Sequence, residues 1–379
     1  MKNLWIVYSS RKGGHRYPAE SLFAYIMNYY RDKFKSVCIN FLDFCSLASF
    51  FDSFGRFADL KLRKITKVCY KSAKENRSSL LIPYKKIISL IFKTGNLKRK
   101  LLSSFERPDL IISIQPEINA IAGLLKLWFE VPVYTVIIDL VAHGLWVDKN
   151  IDLFFVPNEL VKRELLRYGV AANKIFITGI PIREGFRTVF KKEKDSLRKS
   201  LGIEMGLPTI LIMGGLLGEM VNFIEILDSI GRIKIPHQTI CIFGENIEGK
   251  KEVGKIKYPY KLLIRGVTEN IYDWMWASDF IVTKPGSVTI AELTALGKPG
   301  IFVTPLAGSL QETKFAELLE EEEAGVWVER GEDVGKCIRE LLLRPETIER
   351  IKKNSLLFGE RNLYATEKII EFIRKEFYG

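Results

Sequence analysis

Cysteine and histidine are both scarce in this chain of 379 residues. Its five cysteines (Cys38, Cys45, Cys69, Cys241, Cys337) form no CxxC pair and are odd in number, which argues against a disulfide framework and against structural zinc. Three histidines leave no room for a histidine-rich metal centre, and no acidic pair has metal-binding spacing. Long apolar runs are missing as well. Leu4–Tyr8 is too short for a secretory h-region. Glu130 and Asp139 bracket only eight residues, far below the ~18 that cross a bilayer. No compositionally disordered stretch and no repeat of ~20–50 residues is present. These absences point to reduced thiols, to the cytoplasm, and to a chain without a membrane span.

What remains is a globular composition, 47% hydrophobic and 27% charged, in a chain too long for one core. Buried-strand patterns recur with helices between them, which predicts α/β units with parallel sheets. Leu4–Tyr8 reads as a strand entering a Gly-rich turn, with a helix from about Pro18. LIISI (110–114), VYTVII (133–138), DLFFVP (152–157) and KIFITGIP (174–181) are further strands, and NELVKRELLRYG after the third of these is a helix. A charged stretch, Lys191 to Lys199, interrupts the series. The pattern then restarts with TILIMGGLLG (209–218), TICIFG (239–244), KLLIRG (261–266), DFIVTKPG (279–286) and GIFVTP (300–305). The expected domains are 1–187, 188–360 and a C-terminal helix, 361–379, able to pack back on the first.

The net charge of +12 has a definite location. Residues 61–100 hold thirteen Lys or Arg and one acid, Glu75, an excess equal to that of the whole chain. A solvated helical face would account for such a run. LLIPYKKIISLIFKTGNLKRK also mixes bulky apolar residues with cations, which suits an anionic membrane surface. No nucleic-acid-binding motif accompanies it.

Ligands of open parallel sheets sit beyond the carboxyl ends of strands. Three such loops carry unusual chemistry: SSRKGGH, MGGLLG and TKPGS. They are expected to line a cleft between facing domains. In TKPGSVTIAELTALGKP, Thr289 and Glu292 fit a capping box, in which each satisfies a backbone N–H. The same turn also exposes a helix N-terminus, which attracts phosphate. A carboxylate one turn further can hold a ribose diol. With Gly214, Gly215 and Gly218 as a second glycine turn, a nucleoside diphosphate is the ligand these residues suggest.

TKPGSVTIAELTALGKPGI followed by PLAGSLQE resembles the donor-binding signature of GT-B glycosyltransferases, two-Rossmann-domain enzymes. The nearest are the diacylglycerol glucosyltransferases and monogalactosyldiacylglycerol synthases. GGHRYPAE (13–20) is similar to their GGH-R-x-x-A-E loop. IDLVAHGLWVDKNIDLFFVPNELVK (138–162) is similar to their D-x-x-x-H-x-x-W segment, and ITGIPIREGF (177–186) to the G-x-P-x-R of their hinge. Lys12, Ala307, Ser309-Leu310 and Phe315 depart from the family pattern around the donor sugar, and so bear on which sugar is used.

The resemblance implies an inverting, metal-independent and cofactor-free transfer of a hexose from UDP-glucose or UDP-galactose to the hydroxyl of diacylglycerol or a related lipid. It implies that Glu292 binds ribose and that the backbone near Gly266-Val267 contacts uracil. Gly286, Ser287, Thr289 and the 214–218 loop would hold the diphosphate, with Arg183 reaching towards it. Gln311 and Glu312 would hold sugar hydroxyls, since an amide beside a carboxylate supplies both donors and acceptors. His15 and Asp139 are the candidates for the general base, either one orienting the other. Each also has a structural reading, a packed histidine and a turn cap, as Arg183 has one as a surface cation. Gly14, His143 and Trp146 fall on the acceptor side, where the Trp146 indole suits a lipid–water interface or a protein core. The expected location is peripheral, on the inner face of the cell membrane, with residues 61–100 docking on anionic lipid. Alternatives of the same fold are a peptidoglycan-precursor N-acetylglucosaminyltransferase and a UDP-sugar 2-epimerase. A non-catalytic UDP-sugar sensor at the membrane would need no base.

Overall fold

The computed structural model describes residues 1–9, 13–44, 86, 89–90, 96–218, 221–305 and 310–379 (310 by its backbone alone). The basic segment 61–100 lies outside these residues apart from 86, 89–90 and 96–100, as do Lys12, Ala307, Gly308 and Ser309. Among the described residues no helix is long and apolar enough to cross a membrane.

The chain divides into two compact units, Met1–Arg183 with Tyr364–Gly379, and Glu184–Leu363. Each is built on a parallel six-stranded sheet. In the first, the strands are β1 (Lys2–Tyr8), β2 (Phe34–Asn40), β3 (Leu110–Ser113), β4 (Val133–Val136), β5 (Leu153–Val156) and β6 (Ile175–Ile177), in the order β2-β1-β3-β4-β5-β6. Leu4, Trp5, Ile6 and Val7 are at most 1% exposed, because helices cover both faces, as parallel strands require. Burying each such side chain contributes about 1.5–3 kcal/mol. Trp5 meets Phe129 edge-on at 5.0 Å between ring centroids, and its indole N–H donates to the Glu106 carbonyl at 3.1 Å.

Helix α1 (Gly13–Tyr29) follows β1. It starts five residues before Pro18, the expected first residue. Proline is favoured in a first turn, but here it sits inside the helix, where it lacks the N–H that would bond Gly14 one turn back. His15 is therefore in the opening turn of a helix and not in a flexible glycine loop. The C-terminal helix, Ala365–Tyr378, packs in this unit, with Phe372 4.5 Å from Phe176 and 5.5 Å from Phe155 by ring centroid.

The second sheet holds β7 (Thr209–Met213), β8 (Gln238–Ile242), β9 (Lys261–Arg265), β10 (Phe280–Thr283), β11 (Gly300–Val303) and β12 (Gly325–Val328), ordered β12-β11-β10-β7-β8-β9. Ile210, Ile212, Phe243, Phe280, Val282 and Ile301 are core residues on it. Strand order reverses between β1 and β3 in the first unit and between β7 and β10 in the second. Those reversals are where parallel sheets leave a crevice at their carboxyl ends. In the second unit the register ends by pairing Thr283 with Met213, so the MGGLLG and TKPGS turns leave the sheet side by side.

Candidate functional site

Backbone contacts without side chains between them build the turn after β7. Gly218 has φ +67°, and a Cβ on it would lie 1.7 Å from the Phe243 carbonyl oxygen. Gly244 has φ +58°, and a Cβ there would lie 2.1 Å from the Leu216 oxygen. Only glycine fits such positions without strain. The turn is pinned by Glu245 N–H to the Leu216 carbonyl at 2.8 Å and by the Asn246 amide to the Gly218 carbonyl at 2.9 Å. Gly214 has a like role, since a Cβ there would come within 2.9 Å of Gly218. The third neighbour is Gly266, whose added Cβ would be 3.7 Å from the Gly244 oxygen. Val267, beside it, is 60% exposed. The turn after β7 and the end of edge strand β9 thus form one continuous backbone surface. Gly244 and Asn246 are supports that sequence reasoning passed over, although Gly244 ended a recognised strand.

The turn after β10 leads into α2 (Ser287–Ala295). Its N-cap is Gly286, and no side chain caps it. Thr289 is the third helical residue and Glu292 the sixth, so the Thr289–Glu292 capping box is not formed. The amides of Ser287, Val288 and Thr289 lie in the first turn, where a helix has no acceptors of its own and its dipole favours an anion. Glu292 is 3% exposed. A glutamate that deep is rare unless something polar engages it.

Gln311 and Glu312 sit in the first turn of α3 (Leu310–Glu321), after β11, the neighbour of β10. The Lys284 ammonium bonds the Glu312 carboxylate across the two turns. Sequence reasoning quoted Lys284 within TKPGS but gave it no role. Phe315, where the family pattern has Asn, is 2% exposed and belongs to the core.

In the first unit the site gathers on the loop after β4. Asp139 Oδ2 accepts the Trp146 indole N–H at 2.7 Å and lies 3.5 Å from His143 Nε2. Burial alone pushes this carboxyl up. Hydrogen bonding and charge from His143, the Trp146 indole and the charge of His15 more than offset it, holding Asp139 below the usual carboxylate range. The loop is braced from beneath: the Asn119 amide donates to the Trp146 carbonyl at 2.7 Å and to Thr135 Oγ1 at 3.1 Å. Glu164 accepts the Ala142 N–H at 2.6 Å. Nothing in the sequence marked Asn119.

Trp146 has no exposed surface and His143 only 5%. The lipid-interface expectation for Trp146 is therefore corrected, because an indole that donates to a buried carboxylate does not reach a membrane. His15 is half-buried and Gly14 exposed with open space above it. The Arg183 guanidinium stacks 4.3 Å from the centroid of Tyr17, on the same opening turn of α1 as His15.

Replacing Trp146 by phenylalanine removes one donor from Asp139, so its carboxyl should rise towards the ordinary range. A carboxyl held low in the folded state adds stability above its unfolded value, and that stability is lost as pH falls through the folded value. Trp146→Phe should thus cost about 1.5–3 kcal/mol near neutral pH. The deficit should shrink as pH falls below the ordinary carboxylate range and through the lowered value of Asp139. Urea unfolding at several pH values reads this directly, and a deficit constant with pH would assign the loss to packing.

Residues 15–182 match the family model of monogalactosyldiacylglycerol (MGDG) synthase, and residues 209–366 that of the glycosyltransferase family 28 C-terminal domain. A processive diacylglycerol beta-glucosyltransferase of Bacillus licheniformis is 31% identical over 272 residues, 71% of this chain and 70% of that protein. The protein of the same name from Bacillus subtilis is 30% identical over 301 residues, covering 77% and 75%. Among solved structures, MurG of Acinetobacter baumannii aligns with a TM-score of 0.61 at 15% identity, covering 99% of this chain and all 100% of that one. HepE of Anabaena in complex with UDP-glucose aligns with a TM-score of 0.58 at 13% identity, covering 99% and 100%. The UDP-GlcNAc 2-epimerase of Neisseria meningitidis gives 0.61 at 14% identity, covering 98% and 100%. At such identities these structures establish the fold, the two-Rossmann-domain GT-B architecture.

Proposed function

Because this chain belongs to the diacylglycerol glucosyltransferase and MGDG synthase family of UDP-sugar glycolipid glycosyltransferases, we propose that it moves glucose or galactose from a UDP-sugar to diacylglycerol or a related lipid, with inversion at the anomeric carbon. The observation that carries the donor assignment is the meeting, at the β7–β10 reversal, of two glycine turns and the buried Glu292. The uncapped start of α2 and the amides of the Gly214–Gly218 turn receive the diphosphate. Glu292 takes the ribose diol, the Gly266-Val267 backbone the uracil, and Gln311 and Glu312 the sugar hydroxyls. Arg183 is the residue of the first unit assigned to the diphosphate.

In the reaction the bond between the anomeric carbon and the diphosphate oxygen breaks, and the lipid hydroxyl oxygen forms the new bond on the opposite face. UDP leaves with the electron pair, and the amides already aimed at its phosphates stabilise that charge. This electrostatic provision is why the reading invokes neither metal nor cofactor. The hydroxyl proton goes to His15. Asp139, held as a carboxylate by Trp146 and His143, is a poor proton acceptor and acts by stabilising the imidazolium that forms. Gly14, with open space above it, lies on the acceptor side. The protein works peripherally on the inner face of the cell membrane, with residues 61–100 on anionic lipid.

Incubation with UDP-glucose or UDP-galactose and diacylglycerol liposomes, followed by proton NMR of the extracted lipid, tests this reading. A β-linked hexosyl diacylglycerol is expected from the α-linked donor. An α-linked product would contradict inversion. Use of UDP-N-acetylglucosamine with an undecaprenyl acceptor, or binding of UDP-sugar without turnover, would contradict the activity.

A further inference from the structure

Lys284 stands at the carboxyl end of β10, directly before the turn into α2, and is unused in the account above. Its side chain is largely covered, 22% exposed, and its ammonium pairs with Glu312, whose side chain is 14% exposed. The position of its chain is defined by the glycines around it. Its Cε lies 3.4 Å and its Nζ 3.5 Å from where a Cβ on Gly286 would be. The same Cε lies 4.0 Å from where a Cβ on Gly215 would be. The end of the Lys284 stem therefore lies beside both glycine turns, with the ammonium next to Gly286.

We propose that Lys284 is a further donor-binding residue, whose ammonium passes from Glu312 to the diphosphate when a UDP-sugar binds, releasing Glu312 to the sugar. The inference rests on the donor reading given above. Lysine suits the exchange: its charge is compact, its stem flexible, and its three N–H donors can turn from carboxylate to phosphate. A diphosphate carries more negative charge than one carboxylate and makes the better partner. The Lys284–Glu312 pair occupies the site as an internal ligand and is parted by the true one. The carboxylate that recognises the sugar is thereby freed only when the diphosphate has arrived, which links the recognition of the two halves of the donor. At the reaction the same ammonium faces the oxygen on which negative charge develops.

Calorimetric titration of the full chain with UDP and with UMP, which lacks the β-phosphate, tests the proposal. Lys284→Gln should weaken UDP binding by about 10–100-fold, the worth of a hydrogen bond to a charged group, and change UMP binding far less. Glu312→Gln should act in the opposite sense, tightening UDP because no carboxylate competes, while lowering turnover of the UDP-sugar. The double variant leaves no lone buried charge, so it folds even if a single variant does not. It should match Lys284→Gln in UDP affinity. Equal UDP affinity in wild type and Lys284→Gln, or a loss in Glu312→Gln as large as in Lys284→Gln, would overturn the proposal and make the pair a structural brace. Absence of UDP binding to the wild type would overturn the donor reading itself.

Discussion

Replacing His15 by alanine should lower kcat by about 10²–10⁴-fold, the usual worth of a general base, while UDP binds as before. The separation follows from where the residue stands. His15 is in the first turn of α1, in the unit formed by Met1–Arg183 with Tyr364–Gly379, whereas the donor residues all belong to Glu184–Leu363 apart from Arg183. The substitution removes a proton acceptor from an accessible helix start and leaves the core of neither unit altered. A general base must be unprotonated to take the hydroxyl proton, so the wild-type rate should fall on the acid side of its pH profile. The variant should lose that limb of the profile. Asp139→Asn should lower the rate as well, with the limb retained, because the imidazolium that forms loses the carboxylate that stabilises it. If His15→Ala keeps its rate and Asp139→Asn loses the limb, the two roles are reversed.

The second large effect is expected at Glu292. Its carboxyl is buried in the middle of α2. The local reason for a glutamate near a helix start, reaching back to a capping threonine, is removed by Gly286 being the cap. Each hydrogen bond that a ribose hydroxyl donates to a charged carboxylate is worth about 1.5–3 kcal/mol. Losing the two bonds of a diol should therefore weaken UDP binding by about 10²–10⁴-fold, since ~1.4 kcal/mol is one factor of ten. Alanine at this position has high helix propensity, so the helix itself tolerates the change. The cavity left in the core is the cost to watch, and the unfolding midpoint of Glu292→Ala must be measured beside its affinity.

Much of the fold was legible in the sequence because its central strands are buried on both faces and read as short aliphatic runs. LIISI, TILIM and FIVT are of this kind. The strands that escaped notice are sheet edges. β2, FKSVCIN, is half exposed and mixes Lys, Ser and Asn with its apolar residues, and β12 is only Gly325–Val328. The glycine turns were legible because each follows a buried strand, although their purpose, backbone meeting backbone at Gly218 and Gly244, appears only in three dimensions. Helix starts were the least legible. Pro18 suggested the start of α1 and Thr289 a cap for α2, and both lie inside helices, one starting at Gly13 and the other capped by Gly286.

The acceptor-side residues show a different limit. His143 and Trp146 were placed on the acceptor side by the resemblance of their segment to the family's D-x-x-x-H-x-x-W, but an indole gives no sign in sequence of facing a membrane or a carboxylate. Its 2.7 Å bond to Asp139 decides that. Lys284 lay in plain view in TKPGS and was passed over because a lysine after a strand has no diagnostic spacing. Its meaning comes from Glu312, 28 residues away along the chain.

The most direct test of the central claim is release of UDP from UDP-glucose and UDP-galactose, with and without diacylglycerol in anionic liposomes, in wild type and in an equally folded Glu292→Ala. The account predicts release that the lipid stimulates and that Glu292→Ala abolishes. Turnover of neither sugar, or equal rates in the two proteins, would contradict it.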